Sequence, residues 1–153
     1  MIEVNERIEV ASPPQIVWTI LADPAEVVQC VEGAELGEKK DDGSFDAKLG
    51  VKFGPAKVAF GANVLVSYDE ANKAGNVTAS GKDRISGTRF KTVMQFKLEG
   101  TDTPPHSAIQ IKAECELNGR IAHLIESGAQ LVIKRMTASF AQKLAERCGG
   151  STV

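Results

Sequence analysis

A change of period constrains this sequence more than any other feature. From residue 34 to Leu117 apolar residues recur at every second position, and from Asn118-Gly119 to Cys148-Gly149-Gly150 they recur every 3.6. The first pattern makes strands with one apolar face, and the second makes one long amphipathic helix. Phe45, Ala47, Leu49, Val51 and Phe53 share a face, and after Gly54-Pro55 so do Val58, Phe60, Ala62, Val64, Val66 and Tyr68. Val77, Ala79 and Gly81 mark a weaker strand, and two more follow in Phe90–Leu98 and Ile109–Leu117. Asp41-Asp42-Gly43, Asn72-Lys73-Ala74-Gly75, Ser86-Gly87 and Asp102-Thr103-Pro104-Pro105 separate the runs with turn residues, which predicts an antiparallel meander.

The helical pattern stacks Ile121, Ile125, Gly128, Val132 and Met136 on one stripe. Ala129, Ile133 and Phe140 widen one flank, Leu124 and Leu131 the other, and His123, Glu126, Gln130, Lys134 and Thr137 take the opposite side. A stripe of that width needs a large apolar surface, which only the sheet supplies. Ahead of the meander, Ile2, Val4, Ile8 and Val10 alternate with polar residues as a first strand, with Glu6 alone polar on its apolar face. Ser12-Pro13-Pro14 predicts a helix with Ser12 as N-cap, and Asp23-Pro24 ends it and caps a second. The class is therefore α+β: a curved antiparallel sheet of about 6–7 strands gripping a long C-terminal helix, with two short helices after the first strand. The 153 residues suit one domain, 1–153, and carry no internal repeat.

The function classes narrow by elimination. Net charge is −2 with Lys and Arg scattered, so no clustered basic face is offered to nucleic acid. Cys30, Cys115 and Cys148 are odd in number and lack C-x-x-C spacing, against both a disulfide framework and a zinc knuckle. Met1–Glu6 is acidic where an export signal is basic, and the apolar stretch Ile16–Ala22 is far too short to span a bilayer. A reduced, cytoplasmic protein with at most peripheral membrane contact is expected. His106 and His123 have no partner at metal-ligand or triad spacing, and no phosphate loop or nucleophile elbow occurs. No catalytic residue, metal or cofactor is expected from this inventory.

What remains is a cavity. The inner face mixes broad side chains (Phe60, Met94, Phe96, Ile111) with small ones (Ala62, Ala79, Gly81, Ala113). Gly128, at the centre of the helical stripe, costs about 1 kcal/mol relative to Ala, so it marks either close backbone approach or space beneath the helix. The expected lining is Phe60, Val64, Met94, Phe96, Ile111 and Cys115 from the sheet, facing Ile125, Gly128, Val132 and Met136 from the helix.

The element order resembles the helix-grip fold of the START/polyketide-cyclase superfamily. More narrowly, the chain resembles the carbon monoxide dehydrogenase G-subunit family. The matching stretches are Val17-Trp18 with Asp23-Pro24, Cys30-Val31-Glu32-Gly33-Ala34-Glu35-Leu36, Gly54-Pro55, Gly81, Gly87, and Asn118-Gly119-Arg120-Ile121-Ala122 leading to Gly128 and Leu131-Val132-Ile133. The resemblance implies a non-catalytic accessory or carrier protein, an apolar ligand of quinone or lipid class, and a molybdenum-dependent dehydrogenase as partner. A cyclase-like enzyme on the same fold would need polar groups inside the pocket, for which Glu6, Tyr68 and Cys115 are the candidates. A ligand-free interaction subunit would need only an exposed apolar patch.

Overall fold

A computed structural model of the chain describes residues 1–101 and 107–149. Strand β1 (Ile2–Val10) leads into helices α1 (Pro14–Leu21) and α2 (Pro24–Cys30). Six strands follow: β2 (Ala34–Lys39), β3 (Phe45–Phe53), β4 (Ala56–Asp69), β5 (Ala74–Asp83), β6 (Arg89–Gly100) and β7 (Ser107–Asn118). Helix α3 (Ala122–Arg147) closes the chain. Among the described residues the seven strands form one antiparallel sheet in the order β1-β7-β6-β5-β4-β3-β2, in which the non-sequential pairing returns β1 to β7. The α1–α2 connection carries the chain from one sheet edge to the other.

Register puts the alternating apolar residues into rows across one concave face. One row runs Tyr68, Gly75, Phe96, Ile111 and Glu6, the next Val66, Val77, Met94, Ala113 and Val4, and the third Phe45, Val64, Ala79, Thr92, Cys115 and Ile2. Strong curvature brings backbones together where the face bends. A Cβ on Gly81 would run into the Gly61 carbonyl and the Ala62 Cα, so only glycine fits there.

The turns form as their residues dictate. Asp23 Oδ1 accepts from Ala25 N at 3.1 Å and caps α2, and Gly43, Gly54 and Gly87 adopt positive φ in the hairpin turns. Asp102–Pro105 and His106 lie outside the described residues, as does Gly150. The expected cap at α1 is displaced: Pro13 is the N-cap, its carbonyl taking Ile16 N and Val17 N. Ser12 is instead buried, and its carbonyl accepts from Ser107 Oγ, which ties the end of β1 to the start of β7.

Helix α3 is rotated relative to the stripe read from periodicity. Its buried residues are Ile125, Ala129, Val132, Leu144 and Ala145, whereas Leu131 is 83% exposed and Leu124 39% exposed. The Ala129 flank therefore turns inward and the Leu124–Leu131 flank outward. The supposed polar side also borders the sheet: Glu126 binds the N-terminal amine at 3.2 Å, and Lys134 lies 3.7 Å from Glu6. Edge position and this cation explain how Glu6 is tolerated on the apolar face of β1.

A buried polar cluster fixes where α3 leaves the sheet. Asp83, 1% exposed, accepts from Ala59 N, Ser86 N and Ser86 Oγ. Ser86 Oγ lies 2.8 Å from Thr88 Oγ1, which in turn accepts from Ile121 N at the foot of α3. Gly119, with φ +138°, passes so close to Thr88 that a Cβ would collide with it. Burial alone would push the Asp83 carboxyl up, but the hydrogen bonds from Ser86 and Ala59 more than offset this and hold it below its usual value.

Two expectations follow. Val132→Asp buries an unpaired charge and should cost several kcal/mol, while Leu131→Asp should change stability by no more than about 0.5 kcal/mol. Equal melting temperatures for the two variants would refute this helix orientation. For Asp83, a depressed folded pKa contributes stability that is full above the unfolded value of about 3.9 and is lost as pH falls through the folded value. Asp83→Asn should therefore melt lower than the parent at neutral pH, by about 2 kcal/mol, with the gap narrowing in acid.

Candidate functional site

Two separate apolar clusters hold α3 against the sheet. The first joins Ile8, Val10, Val17, Trp18, Leu21, Cys30, Leu98 and Ile109 to Leu144 and Ala145 near the C-terminus of α3. The second joins Val51, Phe53, Val58 and Phe60 to Ile125 and Val132 near its N-terminus. Between them, residues 133–143 of α3 bury no side chain completely. Within that stretch Met136 packs against the second cluster and Phe140 and Ala141 against the first, so α3 passes from one cluster to the other within about one turn, Thr137–Ser139.

The sheet rows below that stretch have the same character. Val66, Val77, Met94 and Val4 in one row, and Val64, Ala79, Thr92 and Cys115 in the next, are all half-buried, and only Ala113 among them is fully enclosed. None of these residues belongs to either packed cluster. This incompletely buried apolar band between the two clusters is a shallow trough on the concave face. Ala79 and Thr92, paired across β5 and β6, leave its floor low, and Met94 stands beside them.

The ten expected lining residues divide on this geometry. Val64, Met94 and Cys115 line the trough, while Phe96 and Ile111 bound it where it meets the first cluster. Phe60, Ile125 and Val132 are packed in the second cluster and close the other end, with Met136 against them. Gly128 lies over Phe53, whose Cβ and backbone would stand 3.6–3.8 Å from an added Cβ. An added Cβ would make ordinary contact with Phe53, so neither a clash nor open space at the Cβ position accounts for that glycine. Val66, Val77 and Thr92, which are not among the expected ten, stand in the same rows, and Trp18 on α1 meets the rings of Tyr68 and Phe96.

The polar groups at the trough are few. The Cys115 thiol is pushed up by burial, with a hydrogen bond from Thr92 opposing, so it remains a protonated, weakly polar wall. Tyr68 is raised by burial and by the Asp23 charge. Among the described residues no group of His, Cys, Asp and Glu is arranged to hold a metal. His123 is exposed on α3, and His106 lies outside the described residues. A groove of about 460 Å³ also exists on the convex face, over β2–β4, but Glu35, Asp46, Lys48 and Arg84 rim it with charge. The concave band has the more apolar side chains of the two.

The Gly128 contact predicts a graded response. Gly128→Ala removes the helical glycine penalty and makes ordinary contact with Phe53, so it should be neutral or stabilising by up to about 1 kcal/mol. Gly128→Leu should overpack against Phe53 and cost about 1–3 kcal/mol. Thermal melts that rank leucine above alanine would place open space under Gly128 instead.

Solved structures share this architecture. A conserved protein from Geobacillus kaustophilus superposes with a TM-score of 0.79 at 18% identity, covering 99% of this chain and 98% of that one. The Zhui aromatase/cyclase from Streptomyces sp. R1128 gives 0.66 at 14% identity, covering 97% and 93%. A START superfamily protein from Mycobacterium smegmatis gives 0.60 at 15% identity, covering 94% and 97%. These likenesses establish the START/cyclase-type helix-grip fold. No curated protein matches the sequence. The family comparison reaches further, because it matches residues 7–149, nearly the whole chain, and on that match the chain belongs to the carbon monoxide dehydrogenase G-subunit (CoxG) family.

Proposed function

We propose that the protein is a carrier or accessory subunit that binds an elongated apolar molecule of quinone or lipid class in the trough between sheet and α3. The observation that carries this reading is the pair of half-buried apolar rows on the concave face, in which Val4, Val64, Val66, Val77, Met94 and Cys115 belong to neither packed cluster. A protein interior is ordinarily close-packed, and apolar rows left incompletely buried between two clusters are a place for a guest. The helix-grip fold supports the reading, and so does the family, whose description names a carbon monoxide dehydrogenase subunit. From the family we take the partner to be a molybdenum-dependent dehydrogenase, and the setting to be the cytoplasm or the inner face of the membrane. No helix among the described residues is long and apolar enough to cross a membrane.

An enzyme reading draws on the Zhui aromatase/cyclase likeness, but it needs acid–base groups in the trough. Glu6 is tied to Lys134, and the Cys115 thiol is held protonated by burial, so neither is poised as a base or nucleophile. We therefore favour binding without turnover.

Native mass spectrometry of freshly purified protein should show a co-purifying apolar molecule. After its removal, a decyl-substituted benzoquinone or a long-chain fatty acid should bind. Ala79→Leu adds bulk to the floor of the trough and should weaken binding about tenfold or more while the melting temperature holds or rises. Unchanged affinity in that variant, or no binding by the parent, would refute the site.

A further inference from the structure

The trough has one end with hydrogen-bonding capacity that the fold itself leaves unused. Trp18 on α1 is 7% exposed, and its indole Nε1 is buried without any partner. A buried donor left without a partner is rare in native structures, because it has given up its bond to water for nothing in return. The surroundings of this one are specific. The indole meets the ring of Tyr68 edge-on, with centroids 6.0 Å apart, and the ring of Phe96 at 6.3 Å. Both partners belong to the same concave row of the sheet, Tyr68–Gly75–Phe96–Ile111–Glu6, which borders the trough. Gly75 is there because the Phe96 ring lies across it where a Cβ would stand. Trp18 and this row thus bring an indole and a phenol together at one edge of a mainly apolar band, with Glu6 at the row's other end.

The geometry points to Trp18 and Tyr68 as the head-group site of the trough: the indole N–H donates to a carbonyl or comparable acceptor oxygen on an otherwise apolar ligand. The inference rests on the carrier reading above and narrows it, from any apolar molecule to one carrying an acceptor oxygen at one end. Tyr68 is 38% exposed and sits at the end of β4, beside the β4–β5 turn, whereas Trp18 is fixed in the first cluster. An oxygen reaching Nε1 therefore displaces the Tyr68 ring rather than the indole, and the tyrosine hydroxyl can then serve the same oxygen or face water. A pure hydrocarbon fills the trough equally well but leaves the indole N–H unanswered.

Trp18 is the only tryptophan in the chain, so its indole gives a single, unambiguous resonance. Delipidated protein labelled with 15N would be titrated with 2-tridecanone and with tridecane, which differ by one carbonyl oxygen. The ketone should shift the indole N–H signal downfield and bind about fivefold more tightly than the alkane, the worth of one neutral hydrogen bond. Trp18→Phe keeps an aromatic ring and removes the donor, so it should erase the ketone preference, bringing ketone and alkane to the same affinity. Equal binding of ketone and alkane by the parent, with a stationary indole signal, would overturn the head-group site and leave the carrier reading standing. Binding of neither compound would overturn the carrier reading, and the head-group site with it. The parent-protein titration decides the matter even if Trp18→Phe fails to fold.

Discussion

Everything about this molecule's interior follows from how α3 is held. A 26-residue helix laid on a twisted sheet would ordinarily bury a continuous stripe, yet here it is pinned at two places. Near its start, Ile125 and Val132 press on Val51, Phe53, Val58 and Phe60, and near its end Leu144 and Ala145 press on residues of β1, β6, β7 and the two short helices. At Gly81 the Gly61 carbonyl and the Ala62 Cα stand where a side chain would begin, so the sheet admits only glycine there. Met136 extends the first contact and Phe140 and Ala141 the second, so the two nearly meet along the helix.

Polar interactions decide where those ends sit. Asp83, Ser86 and Thr88 form a closed hydrogen-bonded chain that terminates on Ile121 N, so the foot of α3 is set by directional bonds inside a dry environment. At the far end Arg147 Nε meets Glu26 Oε2 at 2.7 Å, but both side chains are more than one third exposed, and such a pair adds little stability in water. The far end depends instead on the burial of Cys30, Leu144 and Ala145. Register and orientation are thus specified at the N-terminal foot, and affinity for the sheet is supplied by apolar area at both.

The fold was largely legible in the sequence because it rests on two periods that no tertiary accident obscures. Phe45–Phe53 and Val58–Tyr68 alternate cleanly, and their partner rows appear in the structure as the alternation requires. The rotation of α3 was not legible. Leu124 and Leu131 are as hydrophobic as Ile133 and Phe140, so the hydropathy pattern offered two flanks of equal merit, and only the crossing direction of the helix chose between them. The same missing direction blurred the site. Alternation assigned Phe60 and Val64 to one face correctly, but it could not tell that the helix lands on the first and passes over the second. Trp18 was hidden for a different reason: it lies on another element, and it meets Tyr68 and Phe96 only once α1 is folded against the sheet. The indole's missing partner is visible in coordinates alone.

An open apolar trough also has a thermodynamic consequence. Each half-buried side chain along it forfeits part of the roughly 25 cal/mol per Å² that full burial would contribute, so the unfilled protein is less stable than its composition permits. The deficit lies in the two sheet rows, whose residues belong to neither packed cluster. A guest occupying the gap would restore contacts to Val64, Val66, Met94 and the underside of α3 at once, joining the two clusters into one continuous core. Such a ligand stabilises the folded state in proportion to the logarithm of its concentration relative to its dissociation constant. Filling the trough with side chains would gain the same contacts permanently and abolish the exchange. Ala79 and Thr92, paired across β5 and β6, leave that part of the floor low, and on the carrier reading proposed above they are the residues that keep such exchange open.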